Sequence, residues 1–221
     1  MTDVTVKALF PTPFMKVSDL LPADLVAACV DHIMTADTQI NAKSALLRHT
    51  VIADPTGDSP YQRIDQLVKP YLVQFGQLLF GQELDWSIKE IWTNVLEPGG
   101  SQAIHAHSNS FISGIIYLTE SHPSARTVFH RSIGGREFIF SNDNPNADIG
   151  AFNGNKWIGP TTHPGDLVLY PSYLLHEVPR NEGQRRMTIA LNAIPDRLDT
   201  WGYTIRFSSH RSEAGSGNRN E

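Results

Sequence analysis

The stretch from His163 to Asn192, HPGDLVLYPSYLLHEVPRNEGQRRMTIALN, constrains the fold of this chain more than any other. It reads as two buried β-strands joined by a short connection. The first, Asp166 to Tyr170, is apolar and β-rich. The second, Arg186 to Asn192, alternates Met187, Ile189 and Leu191 with Thr188 and Ala190. Pro171 ends the first strand, and Pro179 with Gly183 marks the turn into the second. His176 stands at the start of the connection, and Arg186 heads the next strand ten residues later. One imidazole and one guanidinium at that separation can line the two ends of a single small pocket.

The rest of the chain divides by period. Residues 1–16 read as an extended lead-in, because Pro11 and Pro13 exclude a helix there. A helix is expected over Ala23 to Thr35, opened by Pro22 and burying Leu25, Val26, Cys29, Val30 and Ile33. Residues 36–59 are polar and punctuated by Asp54-Pro55 and Gly57-Asp58-Ser59-Pro60, so they read as loop. A second helix, Tyr61 to Phe80, presents Ile64, Leu67, Val68, Tyr71, Leu72, Phe75, Leu78 and Leu79 on one face, with Pro70 as a point of kinking or splitting. Both helices read as packing elements without chemistry.

From Leu84 onward strand signals take over. Leu84 to Leu96, Phe111 to Thr119, Thr127 to Ser132, Glu137 to Ser141 and Tyr203 to Ser208 read as strands, and Trp157 to Thr162 leads into the opening stretch. Glu97-Pro98-Gly99-Gly100 reads as a turn. Residues 142–156 read as an Asn- and Gly-rich loop suited to a lid, and 209–221 as a disordered tail. Short strands at regular spacing after two helices give a mainly β protein, a double-sheet jelly roll with an N-terminal helical buttress. The expected boundaries are 1–83 for the lead-in and helices, 84–208 for the core and 209–221 for the tail, with a single domain in all.

Six of the nine histidines fall between 105 and 176. His105-Ala106-His107 follows the Gly99-Gly100 pair. In an extended segment residues two apart point the same way, so these imidazoles can grip one ion. His176, 69 residues after His107, is the third candidate, from a distant strand. Such a facial set leaves coordination positions open for substrate or dioxygen. Taken singly, each is as readily an ordinary polar or core histidine. The order His105, His107, His176, Arg186 is what points to metal chemistry. His122 and His163 precede prolines and are expected to be exposed; they and His130 are not expected to be ligands.

With these residues in place the chain resembles the Fe(II)- and 2-oxoglutarate-dependent oxygenase superfamily. Its members show H-x-(D/E), a distant His, and an Arg or Lys about ten residues further on. The likeness covers about residues 84–195. It includes Gly99 six residues before His105, as in prolyl-hydroxylase-like members, and Tyr117-Leu118 at a strand end. Pro164-Gly165-Asp166-Leu167-Val168-Leu169-Tyr170 is similar to the P-G-x-x-x-x-F strand before the last His, and Arg186-Met187-Thr188 to R-x-S. The nearest subset shares N-S-x-x-S-G-x-x-Y-L, here Asn109 to Leu118, and an H-x-H motif. The resemblance implies a double-stranded β-helix that binds Fe(II) through His105, His107 and His176. It implies 2-oxoglutarate as cosubstrate, dioxygen as oxidant, and hydroxylation of a substrate it does not name. It also implies that Arg186 holds the distal carboxylate of 2-oxoglutarate, for which a planar guanidinium fork is suited. Arg186 is preferred to Arg185 because it shares the parity of Thr188 and Ala190, opposite to bulky Met187, Ile189 and Leu191. Thr188 and Tyr117 are the next candidates for that carboxylate, then Asn94 and Gln102. His107 departs from the carboxylate most of the superfamily has there; a neutral imidazole cancels none of the metal charge, which changes redox tuning and metal preference.

Two rivals stay open. A metal cupin not using 2-oxoglutarate also carries H-x-H, but adds a Glu four or five residues on, where this chain has Phe111 and Ile112. A non-catalytic metal-binding module is the other. No P-loop, G-x-G-x-x-G or Ser-His-Asp signature supports a kinase, Rossmann or hydrolase chemistry. A net charge of −5 with dispersed basic residues makes nucleic acid an unexpected partner, and no apolar run reaches membrane-helix length. The lone Cys29 and an N-terminus unlike a signal peptide give an expectation of the cytoplasm. A small molecule or a protein side chain is the expected substrate, and an oligomer is compatible with the sequence.

Overall fold

The computed structural model describes residues 4–53, 59–131 and 144–208. In chain order they form β1 (Met15–Val17), α1 (Ala23–Thr35), β2 (Thr38–Ile40), β3 (Ala45–Thr50), α2 (Pro60–Phe80), β4 (Trp86–His105) and β5 (Ile112–Tyr117). They continue with β6 (Val128–His130), β7 (Lys156–Ile158), β8 (Leu167–Pro171), β9 (Leu175–Val178), β10 (Arg186–Pro195), β11 (Arg197–Thr200) and β12 (Tyr203–Arg206).

The strands build two antiparallel sheets. One runs β8-β5-β10-β4, using the 86–96 part of β4; β1 extends it beside β8, and β3 followed by β2 beside β4. The other runs β7-β6-β9-β4, using Gln102 and His105 at the far end of β4. The chain passes between the two sheets again and again: β5 to β6, β7 to β8, β8 to β9, β9 to β10. This is the double-stranded β-helix expected from the sequence. A separate hairpin, β11 with β12, follows β10.

Burial explains why β10 sits where it does. Met187, Ile189, Leu191 and Ala193 face the helices, in one apolar layer with Leu25, Cys29 and Ile33 of α1 and Ile64, Val68, Leu72 and Phe75 of α2. Each Leu, Ile, Val, Met or Phe among them contributes about 1.5–3 kcal/mol by leaving water, so the helices are the cover of this sheet. Gly76 of α2 permits the approach, since a Cβ there would lie 2.3 Å from the Trp86 indole nitrogen. The opposite parity of the same sheet, with Ile115, Tyr117, Val168 and Tyr170, meets Phe129 of the second sheet in an inner layer. No helix among the described residues is long and apolar enough to cross a membrane.

The helix boundaries match the sequence expectation within one residue. Leu78 differs, being 65% exposed rather than on the buried face. Pro70 neither splits α2 nor ends it, because its ring lies on the solvent side. Two expectations are corrected. Residues 36–59 are not all loop: β2, a polar strand at the sheet edge, and β3, which lies between β2 and β4, are found there. Glu97-Pro98-Gly99-Gly100 is not a reversal. The chain stays extended through it, and β4 leaves one sheet for the other. Gly99 has φ of 83°, and a Cβ on Gly100 would come 2.8 Å from the Ala45 carbonyl, so the glycines serve a bend in one long strand. The expected strand Glu137 to Ser141 and the tail 209–221 lie outside the described residues.

Candidate metal and anion site

β4 and β9 bring the three candidate histidines together. His105 is the last residue of β4 and stands directly opposite His176 in the ladder, while His107 follows two residues later. The ring centroids are 4.2 Å apart for His105 and His176, 5.1 Å for His105 and His107, and 5.2 Å for His107 and His176. One nitrogen of each lies within 4.8 Å of the others. Backbone contacts hold the rings. The backbone amide of His107 donates to the Ser172 carbonyl at 3.0 Å. His105 Nδ1 donates to the Ala103 carbonyl at 2.8 Å, and His176 Nδ1 to the Leu174 carbonyl at 2.9 Å. A carbonyl only accepts, so both Nδ1 atoms carry the proton and both Nε2 atoms present a lone pair.

Electrostatics keep the trio neutral. Burial, then the neighbouring His105, pushes His176 down to about 3. Burial, then His105, pushes His107 down to about 4. Burial also lowers His105. Three neutral imidazoles, two of them with the tautomer fixed, are what a divalent cation requires. Among the described residues no carboxylate joins the group.

Arg186 opens β10 on the inner face, as its parity predicted, and is only 4% exposed. Its Nε donates to Ser121 Oγ at 3.2 Å and one Nη to Thr127 Oγ1 at 3.4 Å, while its guanidinium carbon lies 5.2 Å from the centre of the Tyr117 ring. No acidic side chain among the described residues pairs with it. A buried guanidinium without a carboxylate is costly to keep unless a ligand supplies the anion. Burial accordingly lowers its proton affinity. Arg185, one residue earlier, is exposed and ion-paired with Glu97.

Thr188 stands in register with both Tyr117 and Asn94, so the candidates named beside Arg186 share this wall. Gln102 lies elsewhere, its amide nitrogen 3.4 Å from His105 Nε2. His122 and His163 are exposed, and His130 pairs with Glu177 at 3.0 Å on the second sheet. None of the three belongs to the site. Several neighbours escaped the sequence. Trp92 lies 5.7 Å from His107 between ring centres, and Phe129 lies 6.0 Å from His176. Tyr170 places its hydroxyl 3.1 Å from His176 Nε2. Strand parity on β8 would have turned Tyr170 inward beside Val168; nothing in the sequence links Ser121 or Thr127 to Arg186. At the other end of the inner face, Glu90, Asn192, Ser113, Ser172 and Ser110 form a hydrogen-bonded chain. The register of β10 against β4 shifts here, Asn192 standing opposite Glu90 and Ala193 opposite Ile88.

Residues 90–192, which contain all of these groups from Glu90 to Asn192, match the model of the family described as "Putative 2OG-Fe(II) oxygenase". Among solved structures, HygX from Streptomyces hygroscopicus with nickel and 2-oxoglutarate bound is similar at TM-score 0.60 and 12% identity, over 83% of this chain and 83% of that one. The epimerase SnoN in complex with Fe3+, alpha ketoglutarate and nogalamycin RO is similar at 0.61 and 12%, over 90% and 93%. A Pseudomonas putida prolyl-4-hydroxylase is similar at 0.55 and 17%, over 82% and 92%. At these identities the likeness is one of fold. No curated protein matches the chain.

Proposed function

We infer that this chain is an Fe(II)- and 2-oxoglutarate-dependent dioxygenase that hydroxylates its substrate, with His105, His107 and His176 as the metal ligands and Arg186 as the anchor of the cosubstrate. The observation that carries it is a buried guanidinium, without an acidic partner among the described residues, on the same inner face as three converging neutral imidazoles. The guanidinium suits the distal carboxylate of 2-oxoglutarate, and the imidazoles suit a divalent ion. A cupin without 2-oxoglutarate would have no use for the first.

When iron and 2-oxoglutarate are bound they supply the oxidising chemistry: dioxygen is consumed, the keto acid is decarboxylated to succinate, and a C–H bond gains oxygen. The protein does the rest. The Ala103 and Leu174 carbonyls hold two Nε2 lone pairs toward the ion. Arg186, with Ser121 and Thr127 fixing its fork, orients the cosubstrate chain; Thr188 and Tyr117 are the adjacent hydroxyls for its carboxylate. The apolar ring of Phe129 and the indole of Trp92 wall the histidines from water.

HygX has also been solved with hygromycin B bound, and the SnoN complex holds nogalamycin RO. On that basis a small molecule is the first substrate class to test, with a protein side chain second. The single, buried Cys29 and a ferrous cofactor suit a reducing cytoplasm. We also read residues 1–83 and 84–208 as one domain, supported by the apolar layer they share, and one cooperative thermal transition is the expected outcome.

The test is anaerobic titration of the Fe(II)-loaded protein with 2-oxoglutarate, following the visible charge-transfer band of the chelate. A band is expected. Iron binding with no band would leave the metal-cupin alternative, and no iron binding would leave the binding module.

A further inference from the structure

Tyr170 carries a conflict that only a ligand resolves. It is 1% exposed, and its ring is packed 5.0 Å from both Phe129 and His176. Its hydroxyl has one hydrogen-bond partner among the described residues, His176 Nε2 at 3.1 Å. His176 Nδ1 is already committed as a donor to Leu174, so Nε2 is the acceptor and Tyr170 the donor. That same Nε2 lone pair is the one a metal would take. Once it is taken, the hydroxyl is buried without an acceptor, a state that native interiors avoid. The ring cannot swing to solvent, because the aromatic neighbours on both sides confine it. The hydroxyl can only rotate its proton toward the space the imidazoles and Arg186 share. Tyr170 packs in one cluster with Tyr117, and the Arg186 guanidinium lies 5.2 Å from the centre of the Tyr117 ring, so both groups line the same inner face.

We propose that Tyr170 is a positioning residue for the cosubstrate: on metal binding its hydroxyl passes from His176 Nε2 to a metal-side oxygen of bound 2-oxoglutarate. The proposal rests on the function inferred above. It gives the keto acid a second anchor, at the end opposite Arg186. It also gives the position a reason to be Tyr, where the strand pattern that this chain resembles has Phe and needs only an apolar ring. In the metal-free protein the hydroxyl competes with the ion for His176; in the loaded protein it favours the cosubstrate. The two effects have opposite sign, and a role in packing alone would not separate them.

Tyr170→Phe keeps the ring and removes only the hydroxyl. Under anaerobic conditions Fe(II) is titrated calorimetrically in the absence of 2-oxoglutarate, and 2-oxoglutarate is then titrated by its visible band. The expected result is Fe(II) affinity equal to the parent's or up to about tenfold tighter, with 2-oxoglutarate affinity weakened by roughly ten- to a hundredfold and the band displaced. Tyr170→Met, which fills the same space flexibly, is measured beside it, so that loss of folding in one variant leaves the comparison to the other. Unchanged 2-oxoglutarate affinity in a folded variant, or a parallel loss for metal and cosubstrate, would overturn the proposal alone. A parent that binds iron but shows no band would overturn the inferred function and this proposal together.

Discussion

The two faces of β10 differ more than any two separate regions of the molecule, although one backbone carries both. Met187, Ile189, Leu191 and Ala193 join a layer of more than twenty buried apolar residues under the helices. Arg186, Thr188 and Asn192 are equally buried, but each polar group faces a small set of neighbours and has no substitute. On the first face energy is spread over many similar contacts, and volume is what counts. On the second it is concentrated in a few donors and acceptors, and identity is what counts.

Variants on the two faces should therefore fail differently. His176→Ala gives the largest loss. Removing one of three ligands should lower iron affinity by more than about a thousandfold, read by metal content after dialysis, with the fold kept by circular dichroism. An iron content equal to the parent's would remove His176 from the ligand set. Ile189→Ala should cost about 2–5 kcal/mol of stability through the cavity it leaves, while the folded fraction binds 2-oxoglutarate as the parent does. A loss of affinity in that fraction would erase the distinction between the faces. Arg186→Ala should show the reverse, a loss of about thirty- to a hundredfold in 2-oxoglutarate affinity with a smaller drop in Tm than Ile189→Ala, since a buried charge leaves with the side chain. Arg185→Ala, one residue away, should change Tm by less than about half a kcal/mol equivalent, because its ion pair with Glu97 is solvent-exposed.

Acid should act on the inner face. In the metal-free protein His176 is held down to about 3 and His107 to about 4, while an unfolded histidine titrates near 6.5. The unfolded chain therefore binds more protons throughout that interval. Stability should be fully present above about pH 6.5 and fall as pH drops toward 3. Thermal melts of metal-free protein across this range test it: the slope should shrink in His176→Ala, and an equal slope would assign acid sensitivity to other groups.

Much of this was legible from local pattern. Alternation on β10 set Arg186 on the face opposite bulky Met187, Ile189 and Leu191, and the two-residue spacing of His105 and His107 announced a shared direction. Helical spacing located α1 and α2 because their apolar faces are continuous. What was hidden depends on contacts distant along the chain. Ser121 and Thr127 approach Arg186 from a segment about sixty residues away, and hydroxyl residues in a connection carry no mark of what they will meet. β2 is a short polar strand at the sheet edge, and β3 beside it ends in Arg48, His49 and Thr50, so both read as loop. Glu97-Pro98-Gly99-Gly100 has the composition of a reversal, yet the path of the chain beyond it is set by which sheet has room for it, and composition does not encode that.

β4 belongs to both sheets at once: its first half pairs with β10 and its far end with β9. The count of residues between Leu96 and His105 is therefore a mechanical ruler. Outside Gly99 and Gly100, substitutions along that span alter a few contacts each, whereas deleting a single residue would invert the direction of every side chain beyond it, turning both imidazoles outward while the helix-covered half stayed in register. The length of this segment, as much as its chemical make-up, keeps the histidine end of the molecule in place.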